Sequence, residues 1–285
     1  MKIAITGSRG MLGTDLMRLF EREHEVLGLD LHNCDILDAA QLQSVIAPFA
    51  PNVIIHAAAY TNVDKAESDR DSAFALNETG TKHVAEAAKV CQAKLVYIST
   101  DYVFDGTKGT PYSEDDAPSP LGAYGWSKWR GEEQIRTVFA DDPTAFLIVR
   151  IAWLYGKRGK NFVETILNLA QQQDTLRVVN DQFGSPTYTQ DVARALQALI
   201  QCHGSGVVHA TNSGQCTWHE FAETILQFAG ITGVTVLPIS SAELNRPAPR
   251  PAFSVLQHER FTQLTGQQLR HWKDGLRAYF EERSV

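Results

Sequence analysis

Lys2-Ile3-Ala4-Ile5-Thr6-Gly7-Ser8-Arg9-Gly10-Met11-Leu12-Gly13 opens the chain with a short apolar run, three glycines spaced GxxGxxG, and the first turn of a helical pattern. Strand, glycine turn and helix in that order predict the first βα unit of a dinucleotide-binding fold. Glycines there allow a tight turn, close approach of backbone to a pyrophosphate and close helix–strand packing. The helix N-terminus adds free N–H groups and a positive dipole end. The spacing is not the better-known GxGxxG, so the order of elements carries the reading. The second predicted strand ends at Asp30, where a carboxylate meets the ribose 2′-hydroxyl of NAD(H) and repels the 2′-phosphate of NADP(H). Arg9, inside the glycine loop, favours the opposite choice, so NADPH and NADH both stay open.

Moving outward, short apolar runs alternate with helical patterns through the first 150 residues. The predicted strands are Lys2–Thr6, Glu25–Asp30, Asn52–Ala58, Lys94–Thr100 and Ala145–Ile151. Between them, apolar residues recur at helical spacing, as in Leu12, Leu16, Leu19 and Phe20, or Ala73, Leu76, Val84, Ala87 and Ala88. Near-continuous runs such as Val53-Ile54-Ile55 suit strands covered on both faces. The fold class predicted is α/β, a Rossmann-type doubly wound parallel sheet, with a smaller α/β substrate-binding domain. Residues 1–149 with about 188–211 form the first, and about 150–187 with 212–285 the second. In the looser second half, Asn161–Gln173, Thr189–His203, Trp218–Ala229 and Leu269–Glu282 read as helices, and Val207–Thr211 as a strand. Thr217 marks a helix start, and Asn245-Arg246-Pro247-Ala248-Pro249-Arg250-Pro251 a proline-broken loop.

Composition excludes several functions. The 285 residues carry 26 Lys plus Arg against 33 Asp plus Glu, a formal charge of -7, without a basic block. That balance argues against nucleic-acid binding, so any anionic ligand must be held by local donors. No apolar run approaches a membrane span, and the N-terminus lacks signal-peptide organisation. Cys34, Cys91, Cys202 and Cys216 form no CxxC pair and read as buried, reduced thiols of a cytoplasmic protein.

Tyr124-Gly125-Trp126-Ser127-Lys128 sets a phenol and an ammonium on one helical face. A neighbouring cation favours phenolate, which is expected to lower the Tyr124 pKa and make it a usable acid. Ser99-Thr100-Asp101 ends the fourth strand, on the rim where open α/β sheets bind ligands. A hydroxyl there suits a substrate carbonyl.

The glycine loop, the hydroxyl after strand four and the YxxxK pair resemble the extended short-chain dehydrogenase/reductase family. Further stretches narrow the resemblance to its dTDP-4-dehydrorhamnose reductase family: Ala57 to Glu67, Ser99 to Gly106, Ser119-Pro120-Leu121, Arg150 to Gly156, and Asn180-Asp181-Gln182-Phe183-Gly184-Ser185-Pro186-Thr187. It extends from Lys2 to about Leu256. The resemblance implies an NAD(P)H-dependent enzyme that reduces the C4 ketone of dTDP-4-dehydro-L-rhamnose to dTDP-L-rhamnose, for cell-surface polysaccharide. Thr100, Tyr124 and Lys128 match its catalytic positions. Gly7, Gly10, Met11, Leu12, Gly13, Asp30, Asp35, Ile36, Ala58, Ala59 and Tyr60, with Tyr124 and Lys128, match its cofactor positions. Thr100, Asp101, Tyr102 and Trp153 match sugar-pocket positions, an indole being suited to pack on a pyranose. Arg250 is expected on the substrate diphosphate, a role Arg246 would fill equally.

Some members of this family are magnesium-bridged dimers. Here Asp15 is acidic but Gln190 is neutral where a glutamate is expected, so the metal bridge is doubtful and a monomer or weak homodimer is expected. No metal site is expected from the histidines either, since His219-Glu220 lacks the second His of HExxH and His209 reads as structural. Alternatives are a reductase, epimerase or dehydratase acting on another nucleotide-4-ketohexose, or a non-catalytic regulatory subunit of a methionine adenosyltransferase. Thr100-Asp101-Tyr102 argues against the dehydratase, which typically reads Thr-Asp-Glu.

Overall fold

A computed structural model describes residues 1–283. Six strands form one parallel sheet: β1 (Lys2–Thr6), β2 (Glu25–Leu29), β3 (Val53–His56), β4 (Lys94–Thr100), β5 (Phe146–Ile151) and β6 (Gly206–His209). Their order is β6-β5-β4-β3-β1-β2. The chain therefore leaves β1 to one side for β2 and returns past it to β3. That reversal opens a crevice beyond the carboxyl ends of β1 and β3, the usual ligand site of such sheets.

Alternation along each strand fills two layers, as the period-two side-chain geometry requires. Ile3, Ile5, Val53, Ile55, Val96 and Ile98 pack against the helices Met11–Phe20 and Thr189–Gln201. Ala4, Ile54, Leu95 and Tyr97 pack on the opposite face, against Ala39–Phe49, Thr81–Val90 and Ala123–Val138. Both faces are covered, which explains the near-continuous apolar runs.

A third cluster lies outside the sheet. Val163, Ile166, Leu176, Phe221, Ile225, Trp272, Leu276 and Tyr279 join the helices Phe162–Ala170, Trp218–Phe228 and Trp272–Arg283 to the parallel pair Thr175–Val179 and Thr235–Ile239. That pair was not anticipated from sequence, and Pro238 inside Thr235–Ile239 reads against a strand. Helices Phe162–Ala170, Thr189–Gln201 and Trp218–Phe228 end one to three residues before their expected C-terminal limits, while two of their starts are fixed by side-chain caps. Asn161 accepts from the Glu164 N–H, and Thr217 accepts from the Glu220 N–H.

Two expectations need correction. The helical pattern around Ala73 and Leu76 is not a continuous α-helix: it runs as Arg70–Phe74, a π-helical turn over Ala75–Gly80, then Thr81–Val90. The wider turn lets the buried Asn77 side chain accept from the Tyr60 N–H at 2.8 Å. It also donates to the Tyr60 carbonyl at 3.0 Å and to Ser127 Oγ at 2.9 Å. The cysteines are all free, but only Cys34 and Cys216 are buried, while Cys91 is half-buried and Cys202 exposed.

Candidate active site

A cleft of about 860 Å³ opens at the carboxyl edge of the sheet. One end is the glycine loop. Gly7 has φ +68°, and a Cβ on it would stand 2.7 Å from the Ala58 nitrogen. A Cβ on Gly13 would stand 2.0 Å from the Gly7 carbonyl oxygen. Loop, helix and the segment after β3 thus meet backbone to backbone. The helix begins at Met11 without a side-chain cap at Gly10, so its N–H groups are unclaimed by side chains. Free amides, a cradle that a Cβ would fill and an acid at the end of β2 fit the pyrophosphate and ribose of a nicotinamide dinucleotide.

Asp30 lines this end with both oxygens engaged. Oδ2 accepts from the Arg9 N–H at 3.0 Å and Oδ1 from the Leu31 N–H at 2.9 Å. Arg9 lines the cleft as well, with its backbone rather than its guanidinium bonded to Asp30. Asp35, Ile36, Ala58 and Ala59 complete the wall beside Gly10, Met11 and Leu12.

The other end is built on β4 and the helix Ala123–Val138. Thr100 Oγ1 donates to Asp101 Oδ1 at 3.0 Å and accepts from the Tyr102 N–H at 3.2 Å, which caps the short turn Asp101–Val103. Asp101 Oδ2 accepts from Ser254 Oγ at 2.6 Å. Burial pushes the Asp101 carboxyl up to about 6, against the pull of the Ser254 and Thr100 hydrogen bonds. Tyr124 packs edge-on to Tyr102, with ring centroids 5.5 Å apart.

Tyr124, Lys128 and Glu132 follow at helical spacing on one face. Glu132 is fully buried and takes two hydrogen bonds from Arg150, at 2.9 and 2.8 Å, and one from Ser99 Oγ at 2.6 Å. These ties fix the helix to β4 and β5. Lys128 is buried, and burial depresses its pKa to about 7, with the Glu132 charge opposing. Tyr124 departs from expectation: its pKa is raised, to about 12, not lowered. Burial dominates, a hydrogen bond with Thr100 pulls down, and the Asp101 charge pushes up. The Lys128 ammonium turns to the Ile98 carbonyl instead, at 2.7 Å.

The cleft brings together every candidate residue except two. Tyr60 turns its hydroxyl to Asp69 Oδ2 at 3.1 Å and is not in the cleft wall. Arg250 is also outside it, with Nη2 3.0 Å from Asp64 Oδ1 and Nη1 donating to the Ala248 carbonyl at 2.8 Å. Arg246 reaches the same carboxylate, 3.1 Å from Oδ2. Asp64 therefore holds both arginines, a role its place in the Ala57–Glu67 stretch did not reveal. Sequence reasoning also missed Thr61, Leu76 and Lys160 in the wall. Thr61 had a signal, being adjacent to Tyr60, but Lys160 had none.

The residues named for a metal bridge gather elsewhere. Thr189 Oγ1 donates to Asp15, Arg18 Nη1 lies 2.6 Å from Glu282 Oε1, and Gln190 donates to the same carboxylate. The two carboxylates there, Asp15 and Glu282, are already engaged by Arg18, Thr189 and the Gln190 amide, and no group of three or more metal-ligating side chains is assembled among the described residues. Nor, among those residues, is any helix long and apolar enough to cross a membrane.

Comparison with known proteins agrees with this architecture. The spore coat polysaccharide biosynthesis protein SpsK of Bacillus subtilis is 41% identical over 284 residues, covering 99% of this chain and 98% of the relative. A dTDP-4-dehydrorhamnose reductase of Streptomyces griseus is 40% identical, covering 97% and 92%. The crystal structure of dTDP-4-dehydrorhamnose reductase from Bacillus anthracis in complex with NADP superposes with a TM-score of 0.94 at 41% identity, covering 99% of each chain. The family profile described as RmlD substrate binding domain matches residues 1–285, and the chain belongs to that family.

Proposed function

We propose that the protein reduces the C4 ketone of dTDP-4-dehydro-L-rhamnose to dTDP-L-rhamnose with NADPH or NADH. The observation that carries this reading is the placement of Thr100, Tyr124 and Lys128 in the same cleft as an uncapped helix N-terminus and its glycine loop. The S. griseus and B. anthracis proteins, similar along almost their whole lengths, bear the name of that activity.

A reduced nicotinamide supplies hydride when bound; the remaining work falls to side chains. Gly7, Gly10, Met11, Leu12 and Gly13 hold the pyrophosphate, with Asp30, Asp35, Ile36, Ala58 and Ala59 around the adenosine. Tyr60 acts behind Ala59 through its backbone. Thr100 Oγ1 orients the carbonyl oxygen, and Tyr124, protonated across the neutral range, gives its proton to the oxygen that forms the new hydroxyl. Lys128 neutralises the developing phenolate and bonds the nicotinamide ribose. Asp101, Tyr102 and Trp153 border the sugar. Arg250 reaches the diphosphate by exchanging its Asp64 contact, with Arg246 left to hold that acid.

The same reading makes residues 1–149 with about 188–211 the cofactor domain, and the remainder the sugar domain. It further holds that the protein works in the cytoplasm as a monomer or weak homodimer. The test is incubation with NADPH or NADH and the keto sugar. One nicotinamide oxidised per sugar, with the L-rhamno product by NMR, is expected. Product without stoichiometric loss of nicotinamide absorbance would instead mark an epimerase or dehydratase.

A further inference from the structure

Trp153 has an unusual setting. Its backbone lies at φ +45°, in the left-handed region that an aromatic residue occupies only under constraint. Its indole lines the cleft and stacks on Trp218 with centroids 3.5 Å apart and planes 6° from parallel. Bare backbone presses on it as well: a Cβ on Gly184 would stand 2.3 Å from Trp153 Cε2 and 2.5 Å from Nε1.

Trp218 is itself fixed from three directions. Its indole N–H donates to Gln182 Oε1 at 3.1 Å, and Gln182 Nε2 donates onward to Ser241 Oγ at 2.8 Å. Phe162 packs against it at 4.6 Å. Thr217, which caps the Trp218 helix, donates to Asn180 Oδ1 at 2.7 Å. Asn180, Gln182 and Gly184 thus all bear on the Trp153–Trp218 pair.

We infer that Trp218 and Gly184 are positioning residues for the sugar ring, holding Trp153 so that the part of its indole left to the cleft meets the substrate in one orientation. This rests on the reading of Trp153 as a sugar contact. A strained, stacked and slotted indole loses little freedom when a sugar packs on it, so the assembly acts on substrate affinity more than on hydride transfer. An aromatic pair of this kind corresponds to about a 3- to 10-fold change in affinity when broken.

Trp218→Leu, Trp218→Phe, Gly184→Ala and Trp153→Phe separate the possibilities. Three readouts serve: KM for the keto sugar, NADPH affinity by nicotinamide fluorescence, and the near-ultraviolet circular dichroism couplet of two stacked indoles. Trp218→Leu and Gly184→Ala are expected to raise the sugar KM about 3- to 10-fold, with NADPH affinity unchanged within about twofold. Trp218→Leu should abolish the couplet. Trp218→Phe, which keeps an aromatic face, should restore most of the affinity and serves if the leucine variant does not fold. If Trp153→Phe raises the sugar KM and neither Trp218 variant does, the positioning role is wrong and the sugar contact stands. If Trp153→Phe has no effect, the sugar contact itself is wrong. Equal losses of NADPH and sugar affinity would make Trp218 merely structural and overturn the inference.

Discussion

Lys128 Nζ donates to the Ile98 carbonyl oxygen at 2.7 Å and sits 4.0 Å from the centroid of the Tyr97 ring. The ammonium is thus satisfied by a strand carbonyl and an aromatic face, not by the phenol four residues before it. Burial still holds its pKa down to about 7. A depressed lysine is charged below that value and neutral above it. In the free enzyme, kcat/KM for the nicotinamide cofactor should therefore fall as pH rises through about 7. In kcat the descending limb should move upward, because bound phosphates favour the charged form. A kcat/KM profile flat from about pH 6 to 8 would remove Lys128 from cofactor binding.

Tyr124 contributes no limb in that range, since its pKa is pushed up to about 12. On the proposed mechanism it enters each turnover already carrying the proton that the product oxygen needs. Tyr124→Phe should lower kcat by about 10²- to 10⁴-fold, while nicotinamide affinity changes by less than about twofold. Single-turnover oxidation of NADPH in the presence of keto sugar checks this. Unchanged turnover would sink the chemistry assigned to Tyr124.

How far the site was legible depended on what kind of information each residue carries. Gly7, Gly13, Thr100, Tyr124 and Lys128 sit where strand ends and helical spacing put them, and backbone geometry at such places is local. Protonation was not legible. The Tyr124–Lys128 spacing implied a lowered phenol pKa, but the outcome depends first on burial and then on Thr100 and Asp101 at the end of β4, which the helical spacing does not show. The same holds for Arg250, whose partner Asp64 is far off in sequence. The Asn180–Thr187 stretch was recognised without a role, because its significance lies in Trp218 and in a backbone angle at Trp153. Thr175–Val179 and Thr235–Ile239 escaped because each is only five residues long and Pro238 reads against a strand in the second.

Asp101 gives a stability prediction with a definite sign. Its pKa is raised in the folded protein, from 3.8 to about 6, mainly by burial. The folded state therefore binds the proton more tightly, and stability falls as pH rises from about 4 to about 6. Asp101→Asn removes this dependence. Relative to the parent, the variant should gain about 2 kcal/mol between pH 4 and pH 7, comparing urea unfolding at both. A stability difference independent of pH would show that Asp101 is solvated in solution.

Glu132 gives the opposite case. Burial alone pushes its carboxyl up, but the adjacent Arg150 and Arg136 guanidiniums and the Ser99 hydroxyl bring it below the usual range. Its stabilising contribution is therefore present above the ordinary glutamate pKa and lost as pH falls through the depressed one. Glu132→Gln leaves the Arg150 charge buried without a counter-ion, a change that costs about 3–5 kcal/mol. Because Glu132 also receives Ser99 Oγ, beside Thr100, the loss should loosen the helix carrying Tyr124 and Lys128 from β4. Activity should fall before global unfolding in a urea titration. Glu132→Leu combined with Arg150→Met removes both charges and should recover most of the stability. If the double variant is as unstable as Glu132→Gln, packing rather than the stranded charge is the cause. If Glu132→Gln is as stable as the parent, the buried ion pair does not secure the catalytic helix.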